Sequence, residues 1–151
     1  MTHAEAGYLG FYNDEVGAVP VENFFVGGDG LASYQLDGRE TIGLRGYENN
    51  RLSSINGGTI YNKFQMEVRY PITLKPSGSI YALGFLEAGN SYDGFSNFNP
   101  FQLKRSAGMG LRIFMPAFGL LGIDFAHGFD PLPGGTEKSG WQTHFIIGQQ
   151  F

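Results

Sequence analysis

A strict two-residue alternation from Lys63 to Tyr70 constrains the fold of this chain more than any other feature of its sequence. Successive side chains of a β-strand point to opposite faces, so such an alternation predicts a strand with two chemically different faces. One face is apolar and the other polar or charged. The apolar set is Phe64, Met66, Val68 and Tyr70, and the polar set is Lys63, Gln65, Glu67 and Arg69. Because the two sets do not mix, we predict a strand with one face against lipid or a core.

Four further segments with the same period follow, separated by turns and loops rich in Pro, Gly and Asn. They begin near residues 79, 102, 121 and 141. At about 10 to 15 residues each, they are long enough to cross a hydrocarbon layer when tilted, whereas strands of soluble domains are usually nearer 5 or 6 residues. The connections alternate between short and long, which is typical of outer-membrane barrels. A shorter strand is expected near residues 4–13, so about six strands are predicted in all.

Composition agrees with an all-β chain and excludes other classes. Glycine occurs 24 times in 151 residues and aromatic residues make up 15%, which favours strands and turns. The mean hydropathy of −0.15 is compatible with membrane strands, because their lipid-facing and lumen-facing residues average out. There is no cysteine for a disulfide or a thiolate metal site. The net charge of −4, with both signs dispersed, gives no footprint for nucleic acid.

Two alternatives to a membrane barrel remain at this point. A soluble up-and-down barrel or sandwich shows the same period, although its strands are usually shorter. A barrel hydrolase would need an Asp/His site, and His127 has Asp124 and Asp130 nearby in sequence. However, His127 falls on the apolar face and Asp124 on the other, so they would not meet within one strand. We therefore expect no catalytic residue, no metal site, no cofactor and no enzymatic activity.

Residues 14–58 form a long segment without strand-like alternation of useful length. A connection this long inside a compact domain is normally either functional or a sign that elements have been misassigned. Small residues line the polar faces of the later strands, which implies that something bulky lies against them; these are Gly108, Gly110, Gly122, Ala126 and Gly128.

The chain resembles the barrel of the BamA family, which folds and inserts other outer-membrane barrels. Six motifs in order carry the resemblance: Glu22-Asn23-Phe24-Phe25-Val26-Gly27-Gly28, Leu44-Arg45-Gly46-Tyr47, Met66-Glu67-Val68-Arg69-Tyr70-Pro71, Leu86-Glu87-Ala88-Gly89-Asn90, Ser106-Ala107-Gly108-Met109-Gly110 and Ile147-Gly148-Gln149-Gln150-Phe151. The resemblance implies an antiparallel transmembrane β-barrel, of which residues 1–151 are a C-terminal fragment. Residues 14–58 would then be a lid loop folded into the lumen, and residues 59–151 the last strands.

The resemblance also implies a site. In the family, an Arg-Gly-Phe/Tyr tip of the lid contacts acidic side chains of the inner wall, and Arg45, Gly46 and Tyr47 match that tip. By position, Glu67 and Glu87 are its expected partners. A lumenal carboxylate needs a partner, and a guanidinium can bond two carboxylates while staying charged. Which way Glu87 points is left open, because its strand has faces of similar polarity.

The last strand matches the C-terminal signal by which outer-membrane barrels are recognised for assembly. The residues that carry this resemblance are Phe145, Ile147, Gly148 and Phe151. The resemblance thus extends to the end of the chain.

The function implied by the resemblance is assembly of β-barrel proteins in the bacterial outer membrane. Expected partners are membrane lipid, the remainder of the barrel or a second copy, client outer-membrane proteins, and assembly lipoproteins bound through upstream POTRA repeats that this chain lacks. The alternatives are a related barrel of the same superfamily that secretes a partner or anchors a passenger enzyme, and a soluble ligand-binding β-barrel. No basic n-region or apolar h-region opens the chain, so we expect it to be part of something longer.

Overall fold

The computed structural model describes residues 1–9, 23–30, 40–75, 78–116 and 119–148. These residues form eight strands and a short 3-10 helix, Phe95–Asn97. The strands are β1 (Thr2–Tyr8), β2 (Phe24–Val26), β3 (Glu40–Ile42), β4 (Ile60–Lys75), β5 (Gly78–Tyr92), β6 (Lys104–Met115), β7 (Gly119–Pro131) and β8 (Lys138–Gly148). Within these ranges, no helix is both long and apolar enough to cross a membrane.

Six strands form one antiparallel sheet in the order β1-β4-β5-β6-β7-β8. Except at the step from β1 to β4, each strand pairs with its neighbour in sequence, so the sheet is an up-and-down array. The long segment lies between β1 and β4, and it leaves these two strands side by side with Ala4 opposite Phe64. In the described part of the chain, β1 and β8 are the edges of the sheet. This arrangement confirms the predicted all-β fold, an open portion of a barrel.

One face of the sheet is apolar and exposed, and we call it the outer face. It carries the alternate residues of β4 that the sequence assigned to lipid, including Val68 at 68% exposure. Each of the other long strands adds exposed apolar side chains to the same face: Leu86, Met109, Leu121, Phe125, Phe129, Trp141, Phe145 and Ile147. A soluble barrel would not expose so large a contiguous apolar surface, whereas lipid would cover it.

The buried residues lie on the opposite, inner face of the sheet, where the described parts of the long segment pack. We call these parts, residues 23–30 and 40–58, the lid. Its apolar side chains form the largest buried cluster together with a side chain of β4; the members are Phe24, Val26, Ile42, Leu44, Tyr47, Leu52 and Tyr61. The core of this chain is therefore a layer between the lid and the strands rather than a space between two sheets.

The lid has a small internal framework. Strands β2 and β3 pair in parallel, with Phe25 opposite Thr41, and single bridges join Phe24 to Gly58 and Gly28 to Leu44. These bonds satisfy backbone groups that would otherwise be buried without partners. They also place the turn that follows Leu44 directly over the inner face of the sheet.

Candidate functional site

The lid tip, Arg45-Gly46-Tyr47, is buried against the wall, by which we mean the inner face of β4 to β8. Arg45 is 6% exposed and Tyr47 is 0% exposed. A charged side chain is almost never buried this far unless it is paired. The partners of Arg45 therefore define the site.

Three carboxylates from three strands hold the Arg45 guanidinium. Glu87 of β5 accepts from Nε at 2.9 Å and from Nη2 at 2.6 Å, and it also accepts from the Arg45 backbone N–H at 2.8 Å. Asp124 of β7 accepts from Nη1 at 2.8 Å. Glu67 of β4 is the most distant, at 3.3 Å from Nη2. The planar fork of the guanidinium thus joins the lid to three strands at once.

Two further arginines complete the charge balance of this cluster. Arg112 of β6 forms a two-pronged pair with Asp124, with Nη2–Oδ2 at 2.7 Å. Arg69 of β4 pairs with the other oxygen of Glu67. Three arginines, including Arg45, therefore face three carboxylates, Glu67, Glu87 and Asp124, and the formal charges cancel. A buried cluster needs this balance, because an uncompensated charge in a low-dielectric site is costly.

An aromatic ring supports the face of the same guanidinium. The Arg45 Cζ atom lies 3.5 Å from the centroid of the Phe85 ring. Phe85 has room to lie there because residue 108 is glycine: a Cβ at Gly108 would lie 2.5 Å from the ring. The carboxylates thus bond to the edge of the guanidinium and the Phe85 ring packs on its face. Together these contacts fix the plane of the guanidinium.

Arg45 stays charged in this setting. Burial by itself disfavours the cation, but the carboxylates of Glu87 and Asp124 outweigh burial and raise the pKa of Arg45 above its ordinary value. Burial raises the pKa of the Tyr47 hydroxyl to about 12. Tyr47 therefore remains a donor, and its hydroxyl donates to the carbonyl of Arg105 in β6 at 2.7 Å.

Gly46 brings the lid backbone into direct contact with the wall. Its φ of 88° lies in the left-handed region that favours glycine. A Cβ here would lie 2.8 Å from Ser106 Cβ and 3.1 Å from the backbone nitrogen of Gly128. The Gly46 N–H donates to His144 Nε2 at 3.0 Å, and the Gly46 carbonyl accepts from Ser139 Oγ at 2.8 Å. His144, the acceptor, and Ser139, the donor, both belong to β8.

The structure brings together the lid-tip residues and the two glutamates singled out from the sequence. Glu87 points inward, so the orientation that the sequence left open is settled by its burial beside Arg45. Phe145 and Ile147 lie exposed on the outer face, and Gly148 is the last residue of β8. Phe151 lies outside the described residues.

Several residues of the site were not predicted as contacts of the lid tip. Asp124 was placed on the inner face but given no partner, although an acidic residue among Gly122, Ala126 and Gly128 was a usable signal. Further examples are Phe85, Arg112, Ser139 and His144. Their part depends on which strands lie side by side, which alternation alone does not reveal.

His127 lies away from this cluster, as the alternation predicted. Its ring contacts those of Phe129 and Trp141 on the outer face, with centroids 5.1 and 5.2 Å apart. Asp124 instead lies opposite His144 in the β7–β8 pair. The arrangement of Arg45 with three carboxylates is a clasp that holds a loop, and its chemistry is ion pairing and hydrogen bonding.

Comparison with known families gives a match that covers the whole chain. Residues 1–151 match the family described as the Omp85 superfamily domain. No curated protein and no solved structure matches the chain.

Proposed function

The chain belongs to the Omp85 superfamily, and from this premise we propose that it is the C-terminal part of the barrel of a BamA-type insertase, which assembles β-barrel proteins into the bacterial outer membrane. Residues 14–58 are the lid of this barrel and residues 59–151 its last strands. The remaining strands, supplied by the rest of the protein or by a second copy, would close it. Proteins of this superfamily are outer-membrane barrels, so the proposal adds the insertase role to a location that the family already gives.

The observation that carries the proposal is the docked lid. Arg45 spans Glu67, Glu87 and Asp124, and Tyr47 fills the layer between the lid and the wall. A lumenal loop fixed in this way supports the strands from inside while leaving their outer face free for lipid. Such support is required if neighbouring strands at the seam of the barrel are to separate without collapse of the wall.

The edge strand supplies the second element of the proposal. Strand β8 pairs with β7 on one side and forms one edge of the described sheet. Unpaired backbone groups of an edge strand are a template for another strand, and addition of a strand to a sheet edge is an established mode of recognition. We propose that a client strand pairs with β8 and is passed into the membrane without nucleotide hydrolysis.

The test is insertion of a client by the whole protein in liposomes. An unfolded outer-membrane barrel is added, and its folding is followed by the change in gel mobility between heated and unheated samples. We expect insertion to be faster than into empty liposomes by at least tenfold. A matched control carries Arg45→Ala in the same protein, which should fold the client more slowly.

A secretion pore of the same superfamily would give the contradicting outcome. It would move a soluble passenger across the liposome membrane, while client insertion would be no faster than into empty liposomes. Upstream POTRA repeats with bound lipoproteins would further support the insertase, and they can be sought in the full-length protein.

A further inference from the structure

We propose that Ser139 and His144 form a latch through which β8 holds the lid tip, so that the docked lid opposes movement of β8. The inference rests on the proposed function, because it specifies how the seam strand of such an insertase would be controlled. It concerns the backbone of Gly46 rather than the charged side chain of Arg45.

The geometry of the latch is a two-point grip on one residue. The Gly46 N–H donates to His144 Nε2 at 3.0 Å, and Ser139 Oγ donates to the Gly46 carbonyl at 2.8 Å. Both side chains come from β8, five positions apart in sequence, so the Gly46 backbone is held between them. A neutral imidazole that accepts at Nε2 carries its proton on Nδ1, which fixes the tautomer that this grip requires.

The hydrogen bonds of the lid tip divide among the strands. The Arg45 side chain bonds to β4, β5 and β7, and the Tyr47 hydroxyl bonds to β6. In the described part of the chain, the hydrogen bonds that join the tip to β8 are those of Gly46. The charge cluster can therefore keep the lid on the wall while β8 leaves, but β8 cannot leave without breaking both Gly46 bonds.

Close packing makes the grip sensitive to small displacements. The Gly46 backbone lies directly on Gly128 of β7. A Cβ added at Gly128 would lie 2.8 Å from Ser139 Cβ and 3.2 Å from the Tyr47 ring. His144 is 5% exposed, so water does not readily replace its bond to Gly46. A slide or pivot of β8 leaves a buried N–H and a buried carbonyl unpaired, which costs free energy. The lid thereby opposes opening of the edge.

The experiment measures the distance between the lid and β8 in the whole protein in lipid bilayers. This chain has no cysteine, so spin labels can be placed at Arg51→Cys in the lid and Thr143→Cys on the outer face of β8, with any cysteine elsewhere in the protein removed. We expect one narrow distance population. Ser139→Ala with His144→Phe should raise the population of longer distances at least threefold. If this pair prevents folding, each single variant carries the same expectation.

Rescue and control variants separate a latch from general support of the fold. His144→Gln and Ser139→Thr keep an acceptor and a hydroxyl, and they should restore the narrow population. Gln142 lies on the same strand and face, between the two latch residues. Gln142→Ala should therefore leave the narrow distance population unchanged. Amide hydrogen exchange provides the second readout: loss of the latch should speed exchange in β8 and leave β6 unaffected.

The latch is overturned if Ser139→Ala with His144→Phe keeps the narrow distances, or if Gln142→Ala broadens them equally. Equal acceleration of exchange in β6 and β8 would also overturn it. Client insertion is measured on the same samples. If the unsubstituted protein does not insert clients, the proposed function fails, whereas the distance result still decides the latch.

Discussion

At the scale of single residues, Asp124 shows how the wall is prepared for the lid. One carboxylate is shared by two guanidinium groups, Arg112 from the neighbouring strand and Arg45 from the lid. When the lid leaves, Arg112 remains with Asp124 and Arg69 remains with Glu67. The wall then retains two arginines for its three carboxylates, which leaves one net negative charge to attract Arg45 back.

We predict that Arg45→Ala undocks the lid. The substitution leaves Glu67, Glu87 and Asp124 with two arginines, and loss of one partner of a buried ion pair costs about 3–5 kcal/mol. The measurement is the rate of limited proteolysis of the lid in the whole protein, which should rise at least tenfold. Arg45→Lys is the control: it keeps the charge but not the planar fork, and should give an intermediate rate. The clasp would be contradicted if the Arg45→Ala protein showed the same rate of lid proteolysis and the same client insertion as the unsubstituted protein.

Gly128 offers a test of the close approach between lid and wall. Gly128→Ala places a methyl group against the Gly46 carbonyl and 2.8 Å from Ser139 Cβ, so the lid tip must move away from the wall. Overpacking of this kind typically costs about 1–3 kcal/mol. Thermal unfolding should occur at a lower temperature than for Gly84→Ala, since a Cβ at Gly84 meets nothing within 4 Å. Equal unfolding temperatures for the two variants would show that the tip does not rest on Gly128.

At the scale of elements, each long strand separates lipid from lumen along its length. Strand β4 exposes its apolar side chains on the outer face and buries Glu67, at 4% exposure, on the inner face. The glycines of β6 and β7 make room on the inner face for specific groups: Gly110 for the Asp124 carboxylate and Gly122 for Arg112. The small residues noticed in the sequence thus accommodate the charged cluster as well as the lid.

A charge on the outer face of β4 should be tolerated in water and costly in lipid. Val68 lies near the middle of the strand, and Val68→Lys should destabilise the protein by about 2–4 kcal/mol, as found for basic residues at the midplane of a bilayer. Urea unfolding of the whole protein in liposomes measures this. Val68→Leu is the control and should be close to neutral. If lysine and leucine give the same midpoint, the outer face does not meet hydrocarbon.

At the scale of the whole molecule, the lid replaces a conventional core. The largest buried cluster joins Val26, Leu44 and Leu52 of the lid to Tyr61 of β4, and the charge cluster lies beside it. Hydrophobic burial therefore gives most of the docking free energy, while ion pairs fix the orientation, since balanced buried ion pairs add little net stability.

Truncation of Leu44 should weaken the whole assembly. Leu44 is completely buried in the cluster, and Leu→Ala at such sites costs about 2–5 kcal/mol because a cavity remains. We expect a lower unfolding temperature together with faster proteolysis of the lid. Ile55→Ala is the control, because Ile55 is exposed in the same loop and should change neither. A Leu44→Ala protein that unfolds like the Ile55→Ala protein would mean that the lid is not part of the core.

The sequence by itself predicted the long strands and the two faces of most of them, and the resemblance pointed to the lid tip. Alternation with period two is a local property, so it can be read without knowing which strands are neighbours. It assigned Glu67 to the inner face and Phe145 to the outer face. For β5, whose faces have similar polarity, it left Glu87 open, because the local pattern there holds no contrast.

Tertiary structure alone decided which groups meet. The third carboxylate, Asp124, its second partner Arg112 and the grip of Ser139 and His144 on Gly46 all depend on strand register and on how deep the lid lies. Those are set by backbone pairing between strands and by packing of the lid against glycines, interactions between residues far apart in sequence. No period or spacing along the chain encodes such distances, so the clasp was foreseen only in part and the latch was not foreseen.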